Sequence, residues 1–186
     1  MIQVRQSRVP QAPCLFLDVD GVLNAFDFDA RLATFSDFEV HEVTVNQGSG
    51  FRLTLDLRLS RSMGQQVGAL SAEIVWVTTW EHHADEVVAP LCGMPRGLDF
   101  LERPLNTTHE DGTWKFDVVR SSVADDMRPF IWIDDDIGSF RSGAESAREW
   151  AERLPIPSLL VAPDPKTGLT HGQLESIEEF LGQLDD

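Results

Sequence analysis

Positive charge is what this sequence has least of. Its 186 residues carry 15 Lys and Arg against 31 Asp and Glu, a formal net charge of −16, and no basic stripe interrupts the acidic background. Such a field repels polyanions at long range, which counts against an extended nucleic-acid track. Part of the acid excess reads simply as solvated surface. Cysteine is nearly absent too. Cys14 and Cys92 stand alone, without C-x-x-C or Cys/His spacing, which argues against a disulfide framework or a thiolate metal site and leaves two reduced, buried thiols. No apolar run approaches the ~20 residues of a membrane span. The leading segment holds Arg5 and Arg8 but lacks the apolar centre of a signal peptide, and there are no internal repeats or low-complexity tracts. The expectation is one globular domain over 1–186, cytoplasmic, with enough apolar residues for a proper core.

What is there centres on Cys14 to Asn24, C-L-F-L-D-V-D-G-V-L-N. An apolar, strand-like run ends in Asp18, and Asp20 follows at the period of two that places both carboxylates on one side of a strand. Two like charges facing one small space are costly unless a cation or a shared proton relieves them. Gly21 lets the backbone turn sharply there, so the pair is expected at the carboxyl end of a sheet strand, where open α/β sheets bind ligands.

Further along, Phe38 to Val45 and Phe51 to Leu59 flank N-Q-G-S-G. The second arm alternates strictly, with leucines on one face and Arg52, Thr54, Asp56 and Arg58 on the other, as a half-buried hairpin arm does. The first arm slips near His41 and Glu42, which suggests a bulge. Arg52, Arg58 and His41 are candidate substrate contacts, with solvated strand residues the favoured reading. The hairpin belongs to an insertion at about 25–60, preceded by Ala25 to Asp37, which has no clear period. A helix after Ser60 places Met63, Val67 and Leu70 at helical spacing, weakened by Gly64 and Gly68.

Ile74 to Val77 reads as the next strand, ending in Thr78, with Thr79 as fallback for an uncharged hydroxyl donor. A helix over Glu81 to Leu91 follows. Its His82 and His83, adjacent on a helix, are expected to diverge rather than share a metal. Leu98 to Leu101 is a short strand before a Gly-, Pro- and Asn-containing loop. Lys115, one of only two lysines, lies near the start of the helix that buries Phe116, Val119 and Val123. Phe130 to Ile133 is a compact apolar strand ending in Asp134, Asp135 and Asp136. Successive carboxylates there require a cation, and hard oxygen ligands select Mg²⁺. Asp136 reads as a cap or loop residue. Ser142 to Leu154 is expected to be a helix with Ala144 facing inward. Ser158 to Ala162 is a strand, and a final helix opens on the capping box Thr170 to Gln173. Strands alternating with helices imply a parallel sheet covered on both faces.

In order and position, Asp18-x-Asp20-Gly21, Thr78, Lys115 and Asp134-Asp135 resemble the four signatures of the haloacid-dehalogenase-like (HAD) superfamily. The resemblance covers nearly the whole chain and implies a Rossmann-like α/β fold with a β-hairpin flap inserted after the first strand. It also implies a Mg²⁺-dependent phosphatase with Asp18 as nucleophile and Asp20 as general acid/base. Thr78 and Lys115 would steady the phosphoryl oxygens; Asp18, the Asp20 carbonyl, Asp134 and Asp135 would hold the metal. A dehalogenase is disfavoured by the presence of Asp20, and no D-K-T-G-T follows Asp18 as in P-type ATPases. The expected substrate is a nucleotide or another small phosphate ester. The alternative is a polynucleotide end, because V-T-T-W-E and W-I-D-D-D look similar to stretches of HAD modules associated with RNA repair. A non-catalytic scaffold that binds a metal or a partner is the reading from another class, countered by the completeness of the catalytic set.

Overall fold

A computed structural model describes residues 12–26, 28–47, 51–105, 107 and 113–184. The lead-in over 1–11, the hairpin tip 48–50 and most of the loop before Thr113 lie outside those residues.

The apolar runs form five short parallel strands: β1 (Cys14–Leu17), β4 (Glu73–Trp76), β5 (Asp99–Phe100), β6 (Phe130–Ile133) and β9 (Ser158–Val161). They lie side by side in the order β5-β4-β1-β6-β9, with every pairing parallel. β1 and β6 are buried at every position, as strands covered on both faces must be. Successive side chains serve opposite faces. Leu15, Leu17, Trp76, Ile131 and Ile133 pack against α1 (Arg61–Gly68), α2 (Ala89–Cys92) and α5 (His171–Leu184). Phe16, Val75, Phe130 and Trp132 pack against α3 (Thr113–Asp126) and α4 (Ala147–Glu152). On that second face Trp132 stacks on Phe140 with ring centroids 5.1 Å apart. The doubly covered, Rossmann-like α/β arrangement expected from the sequence is the one observed.

Between β1 and α1 rises the hairpin of β2 (Phe38–Gln47) and β3 (Phe51–Ser60). Its base is fixed by Asp37, whose carboxylate accepts bonds from the Ser60 hydroxyl at 2.5 Å and the Ser62 hydroxyl at 2.7 Å. Ser60 in turn caps α1 by accepting from the Met63 amide. Gly64, which weakens α1 as a sequence, is required by its packing: a Cβ there would lie 2.1 Å from the Cys92 carbonyl oxygen of α2.

Three expectations need correction. β2 contains no bulge, because its pairing with β3 is unbroken from Phe38↔Ser60 to Gln47↔Phe51. The apparent slip arises because His41 pairs with Leu57 on the inward face while Val40, on the outward face, is 53% exposed. The helix expected from Ser142 begins only at Ala147. Before it, β7 (Arg141–Ser142) and β8 (Glu145–Ser146) form a small ribbon around Gly143, and Ala144 is exposed. Ser146 and Glu149 form the capping box that sets the true start. Finally, the segment following Glu81 opens with one π-helical turn, Ala84–Val88, before α2, and Glu81 itself has φ 49°.

Candidate active site

Parallel pairing brings the candidate residues to one edge. The Asp18 amide donates to the Ile133 carbonyl, the Val77 amide to that of Leu17 and the Asp134 amide to that of Val161. Asp18, Thr78 and Asp134 therefore emerge together at the carboxyl ends of β1, β4 and β6, the ligand-binding edge of such sheets. All three are buried.

Lys115, in the first turn of α3, reaches the same place. Its ammonium donates to Asp18 Oδ2 at 2.6 Å and to Asp134 Oδ2 at 2.9 Å. Burial opposes charge on Lys115, but Asp18 and Asp134 outweigh it and hold the ammonium protonated well above the usual lysine range. The carboxylates fare worse, since one cation serves several of them. Burial, only partly offset by Lys115, raises Asp18. Burial and the neighbouring Asp18 raise Asp134 well above the carboxylate range. Burial, Asp18 and Asp136 push Asp135 up to about 6.

Oxygens of Asp18, Asp134 and Asp135 lie within 4.8 Å of one another. An all-oxygen donor set with negative charge in excess fits a hard divalent cation, Mg²⁺ foremost. The Asp20 carboxylate is not a member of this group. Both its oxygens are taken elsewhere: Oδ1 accepts from Asn24 Nδ2 at 2.8 Å and Oδ2 from Trp80 Nε1 at 2.9 Å.

Asn24 and Trp80 are the site residues that the sequence reading missed. Asn24 also accepts from the Arg58 amide at 2.8 Å, so it ties β3 to the Asp20 turn. Trp80 lies 60 positions from Asp20, and no local period could reveal that pairing. The signal available for Asn24 was its place within the D-x-D stretch, four residues after Asp20.

Of the other candidates, Thr78 accepts from the Trp80 amide at 3.4 Å, while Thr79 is exposed. Asp134 caps the 3₁₀ turn Asp135–Gly138 by accepting from the Asp136 amide at 2.9 Å, which leaves the Asp136 side chain exposed in a loop role. His82 and His83 do not diverge. Their rings lie 4.0 Å apart, and with Glu86 they offer ligand atoms within 4.8 Å of one another. Adjacent helical Cβ directions differ, but the two long imidazoles lean together. Arg58 lies over the Phe28 ring, and His41 lines a separate cavity with Asp37, Glu39 and Arg61.

Gly21 has a definite duty. Its φ is +73°, and a Cβ there would lie 2.3 Å from Asp135 Cγ. Gly21→Ala is expected to cost about 1–2 kcal/mol from the left-handed backbone alone. By displacing Asp135 it should also lower kcat/KM on the order of 10²-fold. Urea unfolding and steady-state kinetics on the purified variant check both effects.

A cavity of about 230 Å³ opens beside Asp20. Trp80, Asn24 and Phe26 line it together with Val45, Leu53, Leu55 and Leu57 of the hairpin. The hairpin thus borders the carboxyl edge of the sheet, in the position of a flap. Among the described residues no helix is long and apolar enough to cross a membrane.

Comparison with known proteins gives one finding. The family model described as "HAD domain in Swiss Army Knife RNA repair proteins" matches residues 14–174, from the first strand to the start of the last helix. No curated protein and no solved structure gives a match. The matched span holds every carboxylate of the cluster, Lys115 and the hairpin, and the chain belongs to this family of HAD domains.

Proposed function

We propose that the protein is a Mg²⁺-dependent phosphomonoester hydrolase that works through an aspartyl-phosphate on Asp18, with a phosphorylated polynucleotide end as its substrate. The observation that carries the reaction class is the buried Asp18–Lys115–Asp134 bridge with Asp135 beside it. The RNA-repair description of the family favours a polynucleotide end over the small ester expected from composition. A cytoplasmic location belongs to the same reading.

Asp18 Oδ2 is held by Lys115, so its other oxygen is available to attack phosphorus. As that O–P bond forms, the ester P–O bond breaks and its electron pair stays on the leaving oxygen, which takes a proton from Asp20. Trp80 and Asn24 hold the Asp20 carboxyl in place for this transfer. Water then attacks the phosphorus of the aspartyl-phosphate and gives its proton back to Asp20. The Asp18–phosphorus bond breaks, releasing inorganic phosphate. Thr78 and Lys115 steady the phosphoryl oxygens, so catalysis is positioning and charge neutralisation. Asp18, Asp134, Asp135 and the Asp20 carbonyl would hold Mg²⁺, which when bound offsets the charge of the phosphoryl group and the carboxylates. The complete set of nucleophile, acid, hydroxyl and cation speaks against the non-catalytic scaffold.

The test is phosphate release with and without Mg²⁺ from oligonucleotides phosphorylated at the 3′ or 5′ end, nucleotides, sugar phosphates and p-nitrophenyl phosphate. Mg²⁺-dependent release, highest on an oligonucleotide end, is expected. Release confined to sugar phosphates would overturn the substrate, and release without any divalent cation would overturn the metal.

A further inference from the structure

The inward face of β3 is apolar over more of its length than the protein body covers. Leu57 and Leu59, at the base, are each 1% exposed, but Leu53 and Leu55 are only half-buried. This half-covered part of the stripe lines the cavity beside Asp20, together with Trp80. Phe26, at the same cavity, is 46% exposed, so the fold leaves much of this aromatic residue uncovered. Exposed apolar surface concentrated at a concave site marks ligand binding.

Its position identifies the part of the substrate it meets. The cavity is lined by Asp20 but not by Asp18, Lys115 or Asp134. Asp20 is the group that protonates the leaving oxygen, so the cavity lies on the leaving-group side of the phosphorus. Among the described residues lining it there is no lysine or arginine, and Asp56 adds a carboxylate to the lining. A phosphate or carboxylate seated in the cavity itself would meet repulsion there, and a bare sugar would leave most of the apolar wall unused. A flat, neutral aromatic ring system satisfies both constraints, with Thr79 and His83 available for its polar edge. The volume, about 230 Å³, is below the ~300–1,000 Å³ of sites that enclose whole ligands, so it takes one such unit.

We propose that this cavity is a base-stacking subsite: it holds the terminal nucleobase of the leaving group between Phe26 and the Leu53–Leu55 stripe, and so makes the enzyme prefer base-bearing phosphate ends. The inference rests on the phosphatase reading above. It also explains how so acidic a protein engages a polynucleotide, since recognition by stacking on the last nucleoside needs no basic track along the backbone.

The experiment compares an oligonucleotide ending in a phosphorylated nucleoside with the same oligonucleotide ending in a phosphorylated abasic sugar. kcat/KM is measured for each, with the wild type and Phe26→Ala. The wild type should favour the base-bearing end by roughly ten- to a hundredfold, the range of base–aromatic stacking, and Phe26→Ala should bring the ratio towards one. Equal rates on both ends in the wild type, or a ratio that Phe26→Ala leaves intact, would overturn the subsite while leaving the phosphatase standing. A binding arm uses Asp18→Asn and an end carrying the fluorescent base 2-aminopurine. Quenching that weakens when Phe26→Ala is added supports the subsite even if no substrate is turned over, whereas absence of quenching counts against it. Failure of phosphate release from every end contradicts the phosphatase reading alone.

Discussion

Asp18→Asn is expected to abolish phosphate release, by on the order of 10⁴-fold or more, while the protein still folds. The amide is isosteric with the carboxylate but offers no anionic oxygen to phosphorus, and no other carboxylate can substitute. Asp134 accepts from the Asp136 amide and from Lys115, and Asp20 is turned towards Trp80 and Asn24. Removing one negative charge from a cluster whose members are already raised by burial should leave the metal-free protein at least as stable. Activity and thermal unfolding of the same preparation therefore separate a lost nucleophile from a lost fold: the first should vanish and the second should not fall.

Lys115→Met should impair both. The ammonium is the only basic group bonded to Asp18 and Asp134 among the described residues, and its side chain is 9% exposed. Methionine fills the volume but leaves two buried carboxylates unpaired, a loss of about 3–5 kcal/mol when they remain charged. The sign of the pH dependence follows. Carboxyls raised in the folded state bind more protons than they do unfolded, so stability falls as pH rises beyond the unfolded carboxylate range near ~4. Without the ammonium this slope steepens, and the deficit of Lys115→Met should be smaller at pH 5 than at pH 8. Urea unfolding at the two pH values checks it. Loss of a fixed charge at the phosphoryl group should lower kcat by about 10²–10³-fold. Equal stability of variant and wild type at pH 8 would show that Lys115 does not neutralise the cluster.

The acidic cluster was legible in the sequence for a physical reason, whereas Lys115 was legible only through the resemblance, since alone it reads as a solvated helix lysine. The acids stand where apolar runs stop, and the cost of gathering carboxylates at strand ends makes the pattern hard to produce without a cation. The sheet was legible because β1 and β6 are buried on both faces and so read as unbroken apolar runs. Asn24 and Trp80 were not, because their duty towards Asp20 is set by tertiary approach rather than by periodicity. The start of α4 was misjudged because Ala144 fits a helical stripe, whereas the S-x-x-E box at Ser146 and Glu149, a stronger signal, lay inside the assumed helix. The straight pairing of β2 was obscured by Phe38, half-buried against the core, and exposed Val40, both apolar on the strand face opposite Leu57. Phe38 finds a partner there in Phe28, with centroids 4.6 Å apart.

A covalent step on Asp18 can be read directly. Enzyme mixed with excess phosphorylated oligonucleotide and Mg²⁺, quenched within the first turnovers and reduced with borohydride, would convert an aspartyl-phosphate to homoserine. Peptide mass spectrometry then locates it. Homoserine is expected at position 18, at neither Asp20 nor Asp134, and none when substrate is omitted. Phosphate released at the full rate with Asp18 unmodified, and with Asp18→Asn still active, would contradict it.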